Sequence, residues 1–146
     1  MKFRIITLVI AFTLTNGVIS ASASEPSART GSLQLTKECS QNNRNPGDSC
    51  SITSSNLAAI KIGSKVFYDQ ADGIPKGLLD SNGVLDAGAG NRAVGHCTLD
   101  DATNLGLCTF SDGTGQFSGF QARVLVDCTS ICRWDGSYRF VRPAQR

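Results

Sequence analysis

FQARVLVDCTSICRWDGSYRF, residues 120–140, is the stretch whose reading decides the fold. Two runs of alternating character meet at Cys128 and Cys132, with only Thr129-Ser130-Ile131 between them. If those cysteines pair across a tight turn, facing positions sum to 260. Val126 then stands opposite Trp134, Ala122 opposite Tyr138, and Phe120 opposite Phe140, with Gly136 facing Val124. The other face matches Asp127 with Arg133 and Gln121 with Arg139. One side is apolar and aromatic while the other carries complementary charge, as a half-buried antiparallel ladder requires. A slip of one residue would turn every side chain to the wrong face, so the register is strongly specified.

Upstream, short β-like runs alternate with Gly, Asn, Asp and Pro clusters. The candidate strands are Leu33–Cys39, Ser49–Thr53, Leu57–Ile62, Lys65–Gln70, Asn82–Ala87, Arg92–Leu99, Leu105–Ser111, Phe117–Asp127 and Arg133–Val141. No window keeps a helical period for three turns; the short stretch 55–61 tolerates at most a single turn. Many short strands, neighbour-to-neighbour order and almost no helix predict an all-β sandwich or closed antiparallel barrel. Closure into about eight strands would remove the exposed edges that such a chain must otherwise protect.

All six cysteines fit this pattern. Cys39 to Cys50 and Cys97 to Cys108 each enclose ten residues, and in both cases the second cysteine opens a similar strand. Neighbourhood therefore predicts Cys39–Cys50, Cys97–Cys108 and Cys128–Cys132 as local disulfides. Zinc is disfavoured: no C-x-x-C occurs and His96 is the only histidine. Residues 1–23 read as a secretory signal: Met1-Lys2-Phe3-Arg4 is basic, Ile5 to Leu14 is mostly apolar, and Ala21-Ser22-Ala23 suits cleavage. Residues 24–31 read as a loose polar tail, and 32–146 as one barrel domain in a secreted or periplasmic protein. The formal charge of +2 includes Lys2 and Arg4; without them twelve basic residues face twelve acidic ones. No general attraction to nucleic acid follows, and no stable membrane insertion is expected after cleavage.

The stretch CTFSDGTGQFSGF, residues 108–120, invites comparison with a phosphate loop, but its third glycine arrives late and a strand follows instead of a helix. Asp112-Gly113 reads as a hairpin turn, Gly115 as a bulge residue, and Gly119 as a bend that lets both Phe117 and Phe120 reach the core. His96 is the only imidazole available to a nucleophile, yet it would lie on the face opposite Cys97, where a packing or surface role is simpler. Asp69, Asp72, Asp80, Asp86, Asp100, Asp101, Asp112 and Asp135 fall mostly at turns or strand ends, where Asp bonds backbone. Phe110, Phe117, Phe120, Trp134, Tyr138 and Phe140 form either a filled core or the lining of a cavity for an apolar ligand. No cofactor is expected.

The run from Gly95 to Phe140, with its G-T-G-x-F-x-G element and WDGSYRF, resembles the allene oxide cyclase barrel-like and dirigent-like group. The whole chain after the signal, including NPGDSCSITSSNLAAI at residues 45–60, is similar to small exported bacterial proteins of unassigned activity. The first resemblance implies an eight-stranded barrel with a central cavity, often a homo-oligomer, that steers cyclisation or coupling of apolar molecules. None of that group's functional polar residues maps onto a position here, and the six cysteines depart from the plant cyclases. The expected function is binding of an apolar small molecule in the barrel. A cofactor-free isomerase or cyclase and a structural module with a filled core are the alternatives.

Overall fold

Alternation along each run sends every second side chain inward, and eight such runs close on themselves. The computed structural model describes residues 29–39, 49–73 and 75–141; the expected signal segment lies outside the described residues. The strands are β1 (Thr30–Cys39), β2 (Ser49–Ser55), β3 (Lys65–Tyr68), β4 (Leu78–Asp86), β5 (Arg92–Asp100), β6 (Leu105–Thr114), β7 (Phe120–Asp127) and β8 (Cys132–Phe140). Each pairs antiparallel with its sequence neighbour, and β8 returns to β1, giving a closed barrel in strand order one to eight. β1 begins at Thr30, so the wall takes in the last two residues of the stretch read as a tail.

The β7–β8 register is the one that residues 120–140 dictate. Val126 faces Trp134, Val124 faces Gly136, Ala122 faces Tyr138 and Phe120 faces Phe140. On the outer face, Arg133 Nη2 lies 2.9 Å from Asp127 Oδ2, and Arg139 Nε donates to Gln121 Oε1 at 2.8 Å. All three expected disulfides are present, and Cys39 with Cys50 and Cys97 with Cys108 are directly opposed across their ladders. Such a set fits an oxidising compartment. No helix among the described residues is long and apolar enough to cross a membrane.

Four local expectations are corrected. Leu57–Ile62 is not a strand but a turned segment. Ile60 N–H donates to the Leu57 carbonyl and Ser64 N–H to the Lys61 carbonyl, so the backbone is satisfied locally. This inserts Ile60 into the core at 2% exposure while Ile62 stands out at 75%. Asp112-Gly113 is not the hairpin turn either. β6 continues through Thr114, with Asp112 opposite Val94 and Gly113 opposite Ala93; the extra residue sits at Ser111, where the register shifts. Gly113 is needed for close approach, because a Cβ there would meet the Phe117 and Arg92 carbonyl oxygens at 2.5 and 2.6 Å.

The reversal comes later, as a 3-10 turn over Gly115–Phe117 followed by Gly119 at φ +73°. Phe117 therefore belongs to the turn, and β7 starts at Phe120. Gly115 supplies its positive φ to this turn and not to a strand bulge. The expected outcome of the bend is met: Phe117 and Phe120 are both fully buried, with ring centroids 5.3 Å apart.

Candidate functional site

The six aromatic residues singled out from sequence come together inside the barrel. Phe120 lies 6.3 Å from Phe110, 5.2 Å from Phe140 and 6.3 Å from Tyr138, centroid to centroid, and Phe110 lies 5.5 Å from Trp134. These are ordinary tilted, stacked and edge contacts of packed rings. Phe110 and Tyr138 also border an open groove on the wall formed by β6, β7, β8 and β1, whose polar lining includes Ser111, Gln121, Arg123, Ser137 and Arg139.

His96, Asp69, Asp80, Asp86, Asp100 and Asp127 serve the surface, whereas Asp72 is partly buried and its Oδ1 has no hydrogen-bond partner among the described residues. His96 Nε2 is 2.7 Å from Asp80 Oδ1 on the outer wall, and both side chains are about half exposed. Asp69 accepts from Asn82 Nδ2, from the Asn82 N–H and from Ser81 Oγ, and the Asn82 side-chain bond leads in holding its carboxyl below the usual range. Asp86 accepts the Gly88 N–H and Arg92 Nε, while Asp100 accepts the Ala102 and Thr103 N–H groups. Asp127 accepts from the Thr129 hydroxyl and N–H and from Arg133; the hydroxyl bond leads in drawing it down to about 2. Each of these carboxylates fixes a turn or strand end. Among the described residues no cluster of three or more His, Cys, Asp or Glu could hold a metal ion.

The group that sequence reading passed over is Lys37. Period two along β1 places it on the same face as Leu33 and Leu35, and it is 5% exposed. Its Nζ donates to the Tyr68 hydroxyl at 2.7 Å, at the end of β3. It lies 5.0 Å from the centroid of the Tyr68 ring and 5.3 Å from that of Trp134, within reach of both aromatic faces. The Cys50 Sγ is 3.6 Å away and the Cys39 Sγ 4.0 Å. No carboxylate of the described residues forms an ion pair with it.

Burial alone governs the ionisation here. Loss of water draws the Lys37 ammonium from 10.5 down to about 8, and burial pushes the Tyr68 phenol up. Both shifts disfavour the charged form, as desolvation does. Close by, Trp134 is 1% exposed and its indole Nε1 has no hydrogen-bond partner among the described residues. A buried ammonium, a phenol and an indole N–H thus supply donors from β1, β3 and β8, and no ion pair to the ammonium is found among the described residues. Trp134 joins this polar end of the interior to the aromatic cluster through Phe110.

No family model, curated protein or solved structure matches this chain.

Proposed function

We propose that the barrel binds an apolar small molecule carrying one anionic group, which pairs with Lys37 while the apolar part lies against the aromatic rings. The observation that carries this reading is the Lys37 ammonium, buried between the Tyr68 and Trp134 faces without a counter-charge among the described residues. Isolated buried charges are costly, and a strongly perturbed titratable group in an interior is a candidate for function. The closed eight-stranded barrel is also the architecture that the cyclase-like resemblance implies. Secretion or periplasmic residence accords with the three disulfides. A homo-oligomer remains part of the reading through that resemblance.

Lys37 and Tyr68 would equally provide the donor and acceptor of a cofactor-free isomerase acting in the same space. One experiment separates the readings. The unreduced protein is titrated with decanoate and with decanol while the fluorescence of Trp134, the sole tryptophan, is followed. Decanoate should perturb the emission and decanol should bind more weakly. Lys37→Met should weaken decanoate binding at least about tenfold, the value of one lost charge-assisted hydrogen bond. If neither compound perturbs Trp134, and native mass spectrometry finds no retained molecule, the binding reading fails and the filled-core module stands. Conversion of a retained molecule to an isomer, read by chromatography, would select the enzyme. The same mass spectrum reads the oligomeric state.

A further inference from the structure

The three disulfides differ in the two properties that govern thiol exchange, access for the attacking thiolate and stabilisation of the departing one. Cys97 and Cys108 are both 1% exposed inside the wall. Cys128 and Cys132 are half-buried at the β7–β8 turn, where the nearby Arg133 is already engaged by Asp127. Cys39, in contrast, is exposed at the end of β1, while its partner Cys50 is buried beside the Lys37 Nζ. Both sulfurs lie beside the Lys37 Nζ, the Cys39 Sγ at 4.0 Å and the Cys50 Sγ at 3.6 Å, but only Cys39 is a residue open to solvent.

We propose that Cys39–Cys50 is a thiol-exchange site, attacked at Cys39 by a low-molecular-weight thiol, with Cys50 leaving as a thiolate held by Lys37. The new bond joins the incoming sulfur to the Cys39 Sγ, and the electron pair of the broken bond passes to the Cys50 Sγ, 3.6 Å from the ammonium. A second molecule of the thiol then attacks its own kind in the mixed disulfide. That step releases Cys39 as a thiol and yields the oxidised small-molecule disulfide, so two thiols are oxidised for one protein disulfide reduced. A neighbouring cation stabilises a thiolate and makes it a better leaving group. Opening the bond also gives Lys37 the counter-charge that none of the described carboxylates supplies, so the reduced form gains an ion pair where the oxidised form has a lone buried cation. The site does not depend on ligand binding, because it needs only Cys39, Cys50 and Lys37.

The test incubates the oxidised, full-length protein in glutathione buffers of graded reducing strength, alkylates the free thiols and maps them by mass spectrometry. Cys39–Cys50 should open first, with the transient glutathione adduct on Cys39. It should open at a ratio of squared reduced to oxidised glutathione at least about tenfold lower than Cys97–Cys108 requires. Lys37→Met should slow opening by about tenfold and move its midpoint by a similar factor, whereas Lys37→Arg should retain both. If Lys37→Met fails to fold, the order of opening in the native chain and the behaviour of Lys37→Arg decide the matter. Opening of either other disulfide first, an adduct on Cys50, or a Lys37→Met protein that exchanges like the native one overturns the proposal.

Discussion

Replacing Lys37 by methionine should stabilise the barrel at neutral pH and flatten its stability in mild alkali. Burial lowers the ammonium from 10.5 to about 8. At about 1.4 kcal/mol per pH unit, keeping that charge inside the folded barrel at pH 7 costs about 3 kcal/mol. Methionine keeps the unbranched stem but removes the donor 2.7 Å from the Tyr68 hydroxyl, and an orphaned buried hydroxyl costs about 1–2 kcal/mol. The net expectation is a gain of about 1–2 kcal/mol, in the range found when buried charges give way to apolar residues. The pH dependence follows from the same lowering. Between pH 8 and 10.5 the unfolded chain holds a proton on Lys37 that the folded chain has released, so native stability rises with pH. Tyr68 opposes this above its ordinary value of 10.0, where the unfolded phenol ionises while burial keeps the folded one neutral. The rise therefore belongs to the interval from about 8 to 10 and should vanish in the variant. Urea unfolding of the oxidised proteins at pH 7, 8, 9 and 9.5, followed by Trp134 fluorescence and circular dichroism, measures both effects. A variant that loses more than about 1 kcal/mol at pH 7, or one that keeps the native rise, would refute the reasoning.

Gly119→Ala should destabilise by about 3 kcal/mol or more in the same unfolding assay, because φ is +73° and the added Cβ would collide with the Val141 carbonyl oxygen. A loss under about 1 kcal/mol would show that the turn relaxes freely. Joint replacement of Cys97 and Cys108 by alanine should cost about 3 kcal/mol by relieving the unfolded chain of a cross-link, with an added packing loss since both are core residues. An unchanged unfolding midpoint would contradict that. The Asp127 carboxyl should titrate near 2 by carbon-detected NMR, and Thr129→Val should raise it, since the Thr129 hydroxyl is the leading cause of the lowering. Being lowered in the folded state, Asp127, like Asp69, Asp86 and Asp100, contributes stability that is present above 3.8 and fades as pH falls below it. Acid unfolding independent of Asp127→Asn would argue against its share.

Residues 120–140 made the last hairpin legible because two independent patterns, apolar inside and charged outside, agree on one register. The disulfides were legible because each pair flanks one hairpin. Where the sequence misled, a residue type had two uses. Asp-Gly usually turns a chain, but at Gly113 the missing Cβ admits neighbouring backbone and the chain runs on. Leu57, Ile60 and Ile62 look like strand residues, yet local carbonyl-to-amide bonds wind them into a turn that drives only Ile60 deep into the core. The candidate site was half visible. The aromatic cluster could be read as core or lining, and it is assembled as expected. Lys37 carried a signal in its phase with Leu33 and Leu35, because a charge in an apolar stripe is informative in itself. What sequence could not supply was its surroundings, since Tyr68 and Trp134 reach it from strands far along the chain.

The seam between β1 and β8 has a consequence for how the molecule comes into being. Seven of the eight pairings join consecutive strands and can zip as hairpins soon after their residues are available. The eighth joins Thr30 to Arg139 and Lys37 to Cys132, about a hundred residues apart, so it pays its loop-closure entropy last. Until β8 arrives, β1 and β7 are bare edges able to recruit strands from other chains. A truncated or slowly delivered chain is thus most exposed to aggregation in the interval before one final strand docks.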